Sequence, residues 1–356
     1  MIAGVQHDRQ ASEDYRRLPA VDIRSARDGV RWHLIDRCGQ LDFSSFLPML
    51  DAAEAAGIQV SWTLCHYGWP DGLDVFSSEF VERFARYAKA VAGVVRDRSA
   101  VVPLYTPMNE ISFFSWAASR EIMFPFASGR DGELKRQMVR ATVAACEAIL
   151  EVDRRARFVY AEPVIHVFPP ADRPDLSTEA EAYNESQYEA WDMIAGRKEP
   201  SLGGRDCYLD IVGVNFYHAN QWELDRDRLR WEDEPRDPRW IPFRKMIGQV
   251  WKRYGRPVFV SETSHFGSGR SRWIREIAQE VFEARREGIP VEGICLYPIL
   301  DRYDWENRNH WHNSGLWDMN PGDPSLERVI NREYAAALAE SQRLFGQSSP
   351  PPGNRH

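Results

Sequence analysis

Several things are missing from this 356-residue chain, and each absence removes a class of function. It has no apolar stretch long enough to span a bilayer, so a membrane protein is excluded as a reading and no membrane partner is expected. Positive charge is in deficit, with 45 Lys and Arg against 53 Asp and Glu and a net charge of −8, so no broad basic field exists to hold nucleic acid. Cysteine is scarce and scattered (Cys38, Cys65, Cys146, Cys207, Cys295), with no CxxC pair or zinc spacing, which argues against a disulfide framework or structural metal. No glycine-rich GxGxxG turn follows a candidate strand, which removes the usual mark of a dinucleotide site, and no repeat of solenoid length occurs. The stretch from Met1 to Asp8 becomes charged too early for a secretory signal, so a cytoplasmic, reducing compartment is expected and the Asn184-Glu185-Ser186 sequon is read as coincidence. Tryptophan, by contrast, is abundant at 13 residues, which fits either a large core or a pocket for ligands with apolar faces and polar edges.

Short apolar runs alternate with amphipathic stretches from end to end. Strands are expected at 3–5, 29–32, 60–64, 101–105, 158–160, 211–214, 258–260 and 293–296, each followed by a helix. Phe80, Phe84, Tyr87, Ala88 and Val91 form one helical stripe, Leu134, Met138, Ala141, Ala145 and Ile149 another, and Ile274, Ile277, Ala278, Val281 and Ala284 a third. Asp42 is the expected cap of a helix carrying Phe43, Phe46, Leu47 and Leu50 and stopped by Gly57. Unalternating β-branched runs suit parallel strands buried on both faces. Eight such units in series predict an α/β fold, a single (β/α)8 TIM barrel over 1–346, rather than two domains. Residues 163–200 are expected to elaborate the loop after the fifth strand, and 347–356 to form a disordered tail.

A barrel places its chemistry at the carboxyl ends of its strands. The fourth expected strand runs into Asn109-Glu110 and the seventh into Ser261-Glu262. Either glutamate alone reads as an ordinary solvated carboxylate. Strands four and seven face each other across an eight-stranded ring, however, so the pair can converge as retaining glycoside hydrolysis requires, with about 5 to 5.5 Å between carboxyl groups. One attacks the anomeric carbon while the other protonates the leaving oxygen and then activates water.

In these segments the chain resembles the glycoside hydrolase family 1 β-glycosidases of the retaining barrel clan. The likeness is carried in order by Arg27 ahead of Trp32, by 63–70 (Thr-Leu-Cys-His-Tyr-Gly-Trp-Pro), by 106–110, by Val214-Asn215-Phe216-Tyr217, by Val260-Ser261-Glu262-Thr263, and by 297–305. The resemblance implies Glu262 as nucleophile, Glu110 as acid/base, and Arg27 and Tyr217 as supports of the nucleophile. It further implies His66, Asn109, Tyr297, Asp304 and Trp305 as binders of a small-molecule glycoside or oligosaccharide, and no cofactor or metal. The chain departs from the family pattern at Ile111 (usually Pro), at Thr263-Ser264 (usually Asn-Gly), at Tyr297 (usually Trp) and at Asp304 (usually Glu). Its first β/α connection is contracted, leaving Gln6 or His7 to stand in for a sugar-binding Gln. The sugar, the aglycone and the oligomeric state are not written in the sequence.

Two other readings compete. A transglycosylase or a catalytically silent carbohydrate-binding barrel would share the fold. A metal-dependent barrel hydrolase would draw ligands from His7, His66, His166, His218 and His265, with Glu110 or Glu262. Glu162 is read as a pocket-wall or structural carboxylate, and His310-Trp311-His312 equally as a ligand contact from the last loop or as loop surface. Trp69, Trp116 and Trp305 are placed near the sugar, and Trp251 and Trp273 in helix packing.

Overall fold

The computed structural model describes residues 2–305, 307, 309–320 and 322–346; the expected tail at 347–356 lies outside them. Seven strands form one sheet: β1 (Ser25–Gly29), β2 (Gln59–Cys65), β3 (Leu104–Met108), β4 (Arg157–Pro163), β5 (Ile211–Asn215), β6 (Val258–Thr263) and β7 (Val291–Leu296). They pair in chain order and every ladder is parallel. The sheet is a nearly closed TIM-type barrel, and strands such as β2 and β5 are buried along almost their whole length, as their unalternating sequences require.

The predicted stripes form the outer layer. Phe80, Phe84, Tyr87, Ala88, Val91 and Val95 are the buried face of the helix Ser78–Arg98, whose first turn is capped by the Ser77 hydroxyl accepting from the Phe80 amide. The loop after β4 is elaborated as expected. It carries the helix Ser177–Ser186 and a short strand, His166–Phe168, that pairs with Gln221–Glu223 from the connection after β5.

Three expectations are corrected. Asp42 caps no helix: its carboxylate accepts from the Ser44 amide in a turn, and the helix spans Leu47–Ala56. Pro48 explains the shift, since its missing N–H and fixed φ are tolerated only in a first turn. Gly57 closes that helix as predicted, at φ 66°, where a side chain would be strained.

The second expected strand moves upstream, to Ser25–Gly29, and Trp32 opens a short helix instead. The first is absent: residues 2–5 are helical, and the Val5 carbonyl accepts from Arg328, itself bidentate on Asp14. Val5 packs with Trp311, Met319 and Leu326 under the chain that follows β7. Among the described residues no ladder joins β1 to β7, and a cavity of about 370 Å³ lies between them, walled by Ala26, Ile274, Ala278, Ile294, Leu338 and Phe345. The barrel therefore has a seam. The Cys295 thiol reaches across it to the Arg27 backbone.

Candidate active site

The carboxyl ends of β1, β3, β5 and β6 bring the predicted catalytic groups together. Glu262 belongs to β6 and is 5% exposed. The Arg27 guanidinium, from β1, forms an ion pair with its Oε1, and the Tyr217 hydroxyl donates to its Oε2 at 2.7 Å. A cation and a charge-assisted hydrogen bond on one buried carboxylate both favour the ionised form. Arg27 also donates to Asn109 Oδ1 at 2.6 Å, which ties β1 to the end of β3.

Glu110 follows Asn109 beyond β3, with its amide bonded to Ala161 O on β4 and its own φ at 45°. That left-handed conformation, uncommon for a residue with a Cβ, turns the chain from strand into the helix Ile111–Ser119. Its carboxylate accepts from the Tyr67 hydroxyl and, at 2.7 Å, from Asn215 Nδ2. Burial pushes the Glu110 carboxyl above its ordinary value, against the opposing pull of those two donors and of Arg27. Asn215 also accepts from Ser261 at 2.6 Å and lies in register with Glu262, so one side chain joins the surroundings of both glutamates.

Tyr67 and Asn215 are the side chains on Glu110 that were not singled out as site residues from the sequence. Both stand inside quoted segments, but their hydrogen bonds run to Glu110, some 43 and 105 positions away along the chain. No local spacing reports such contacts.

His66 lies against Asn109, whose Nδ2 approaches its Nε2 at 3.4 Å. Crowding in the mouth, with the Arg27 charge beside it, holds the ring well below its usual pKa and hence neutral. Tyr297 and Trp305 are joined by an indole hydrogen bond, and Arg302 stacks over both rings at 5.6 and 5.7 Å. Trp305 is half exposed. Asp304 stays in its own turn, where its Oδ1 accepts from the Asn307 amide. Trp69 is corrected: it is buried, with its indole N–H on Leu73 O, and it packs against Phe80, Phe114 and Phe124.

Among the described residues the histidines form no cluster of potential metal ligands with Glu110 or Glu262. His7 bridges Asp14 and Asp28; burial works against its charge, but the two carboxylates prevail and lift it to about 9. Gln6 is tied to Pro324 O, and His166 sits on its short strand beside Phe168. Glu162 is buried and accepts from the Ser112 amide at the start of the helix after Glu110; burial, reinforced by Glu110, raises it to about 8. A cavity of about 200 Å³ opens on Glu262 and is lined by Arg27, Asp28, His7, Tyr297, Asp301 and Arg302.

No family model matches the chain. Among curated proteins it is similar to a β-galactosidase of Sulfolobus acidocaldarius, 26% identical over 267 residues, which is 65% of this chain and 53% of that protein. The chain thus spans about half the length of the curated relative it matches. Among solved structures it is similar to the Thermotoga maritima β-glucosidase in complex with glucoimidazole, with a TM-score of 0.81 at 13% identity over 96% of this chain and 88% of that one. A second match, a family 1 β-glucosidase from the same organism, gives a TM-score of 0.76 at 14% identity over 96% and 87%. The chain has the barrel fold of the family 1 β-glucosidases.

Proposed function

We propose that the chain is a retaining β-glycosidase. The carrying observation is the unequal treatment of two glutamates at one barrel mouth. Both are buried, but Glu262 holds an Arg27 ion pair and a tyrosine hydrogen bond, whereas the Glu110 carboxyl is held above its ordinary pKa. Two carboxyl groups whose surroundings push them apart divide naturally into nucleophile and acid. In this reading Glu262 attacks the anomeric carbon as Glu110 protonates the departing oxygen. Glu110, now a carboxylate, then takes a proton from the water that cleaves the glycosyl ester and frees Glu262.

His66 and Asn109 bind the glycone hydroxyls, Tyr297 and Asp304 border it, and the exposed face of Trp305 stacks on the ring. The leaving group lies toward Phe113 and Trp116, both part-exposed on the helix that follows Glu110, which favours an apolar aglycone. The likeness to β-glucosidases and to a β-galactosidase supports a hexoside substrate. No described helix is long and apolar enough to cross a membrane.

A 2-deoxy-2-fluoro aryl glycoside, followed by peptide mass analysis, tests the scheme. Label is expected on the peptide that holds Glu262, and turnover surviving intact in Glu262→Ala would refute it. Glu110→Ala should slow glycosides with poor leaving groups far more than activated ones; equal losses would remove Glu110 from the acid role.

A further inference from the structure

A second cluster lies beside this site, beyond the ends of β5 and β6. His218 follows Tyr217, His265 stands two residues past β6, and Glu232 comes from the long connection between them. One potential ligand atom from each lies within 4.8 Å of the others. His265 is 5% exposed, and its Nδ1 is 3.0 Å from the Phe266 carbonyl. A carbonyl only accepts, so that nitrogen carries the proton and a neutral ring turns a bare lone pair outward at Nε2. That lone pair faces Glu232 Oε1 at 3.5 Å, an acceptor against an acceptor.

His265 Nε2 and His218 Nδ1 are both buried, and neither has a hydrogen-bond partner among the described residues. Arg228 satisfies Glu232, but nothing among the described residues bonds the two imidazole nitrogens that converge with it, and buried polar nitrogens left so are unfavourable unless a cation sits between them. We propose that His218, Glu232 and His265 bind one divalent transition-metal ion of the zinc class.

The donor set fits. Two imidazoles and one carboxylate, with water completing the shell, suit zinc, cobalt or nickel rather than magnesium or calcium, which take oxygen ligands. Ligand atoms around tetrahedral zinc stand about 3.3 Å apart, so closing the site asks for side-chain movements of about 1 Å. His265 already makes the supporting bond expected of a metal-bound histidine, its second nitrogen donating to a backbone carbonyl. Arg228 fixes Glu232 with two bonds of 2.9 Å and so sets the carboxylate plane. Gly269 is part of the construction: a Cβ there would come within 2.3 Å of His265 Nδ1. Trp231, Trp273 and Phe266 wall the cluster with rings.

The ion would pin the connection carrying Glu232 to the segments that carry Tyr217 and Glu262. It is a clasp beside the glutamates rather than a partner in their chemistry.

The test is metal uptake by the whole chain after chelator treatment and dialysis. Elemental analysis and calorimetric titration with Zn2+ are expected to give one equivalent, Co2+ to give the intense visible bands of a tetrahedral site, and Zn2+ to raise the melting temperature. His265 is buried and its loss endangers folding, so the deciding variants are His218→Gln and Glu232→Gln, checked for an unchanged fold by circular dichroism. Each should weaken Zn2+ binding at least tenfold and shrink the thermal shift. Failure of the wild-type chain to saturate overturns the proposal, as does binding unchanged in both variants. Discovery by NMR that His265 is doubly protonated at neutral pH would replace the ion with an imidazolium–carboxylate pair.

Discussion

The Tyr217 hydroxyl donates to Glu262 at 2.7 Å, and its removal isolates one contribution to the proposed nucleophile. A hydrogen bond to a charged group contributes about 1.5 to 3 kcal/mol. Tyr217→Phe is therefore expected to slow formation of the glycosyl ester by roughly ten- to a hundredfold, with a smaller effect on its hydrolysis. Rapid-quench measurement of the two steps checks this, and equal slowing of both would mean that Tyr217 does not act through the carboxylate. At this scale the sequence was informative where residue type and chemistry coincide. Glu110, Glu262, Arg27 and Tyr217 are legible because few residue types can do the work proposed for them, and the structure brings Arg27 and Tyr217 onto Glu262. Trp69 was misplaced because an indole serves a core as readily as a sugar, and only its burial against Phe114 and Phe124 decides between them.

Among the elements, the helix Ile111–Ser119 couples stability to pH. Its second amide, that of Ser112, donates to Glu162, whose carboxyl is raised by burial from 4.5 to about 8. Between those values the folded chain holds a proton that the unfolded chain has released, so unfolding free energy falls as pH rises. The stability is fully present below the unfolded value and is lost through pH 8. Glu162→Gln, neutral throughout and still able to accept from Ser112, should flatten this slope. Urea midpoints compared at about pH 5 and about pH 8.5 read the difference directly; parallel falls in both proteins would exclude Glu162 as the cause. Helices were legible because their stripes repeat, as from Phe80 to Val91. Their starts were less so, because Pro48 outweighed the attractive cap at Asp42.

For the whole molecule, the question is where the barrel is weakest. Among the described residues β1 and β7 each leave one edge without a ladder, so amides on those edges rely on water or side chains. Hydrogen exchange followed by mass spectrometry should find β1 and β7 less protected than β3, β4 and β5, which are paired on both sides. Uniform protection around the sheet would show that the seam is sealed. The barrel itself was read correctly, but its first strand was misplaced because residues 3–5 look apolar enough for a strand. What overrides that local pattern is Arg328, which takes the Val5 carbonyl from the far end of the sequence.

The seam also changes what the Arg27 guanidinium is for. A complete ring fixes its own radius through strand number and stagger, but an open arc has no such constraint. Arg27 stands on the free edge strand, and its guanidinium crosses the interior to Glu262 on β6 and to Asn109 past β3. It is a strut as well as a counter-charge. In the proposed cycle, esterification removes the charge on Glu262 and slackens that strut, and hydrolysis restores it. The barrel wall would loosen and tighten once per turnover, so that mechanical compliance at β1 is set by the chemical state of a residue five strands away.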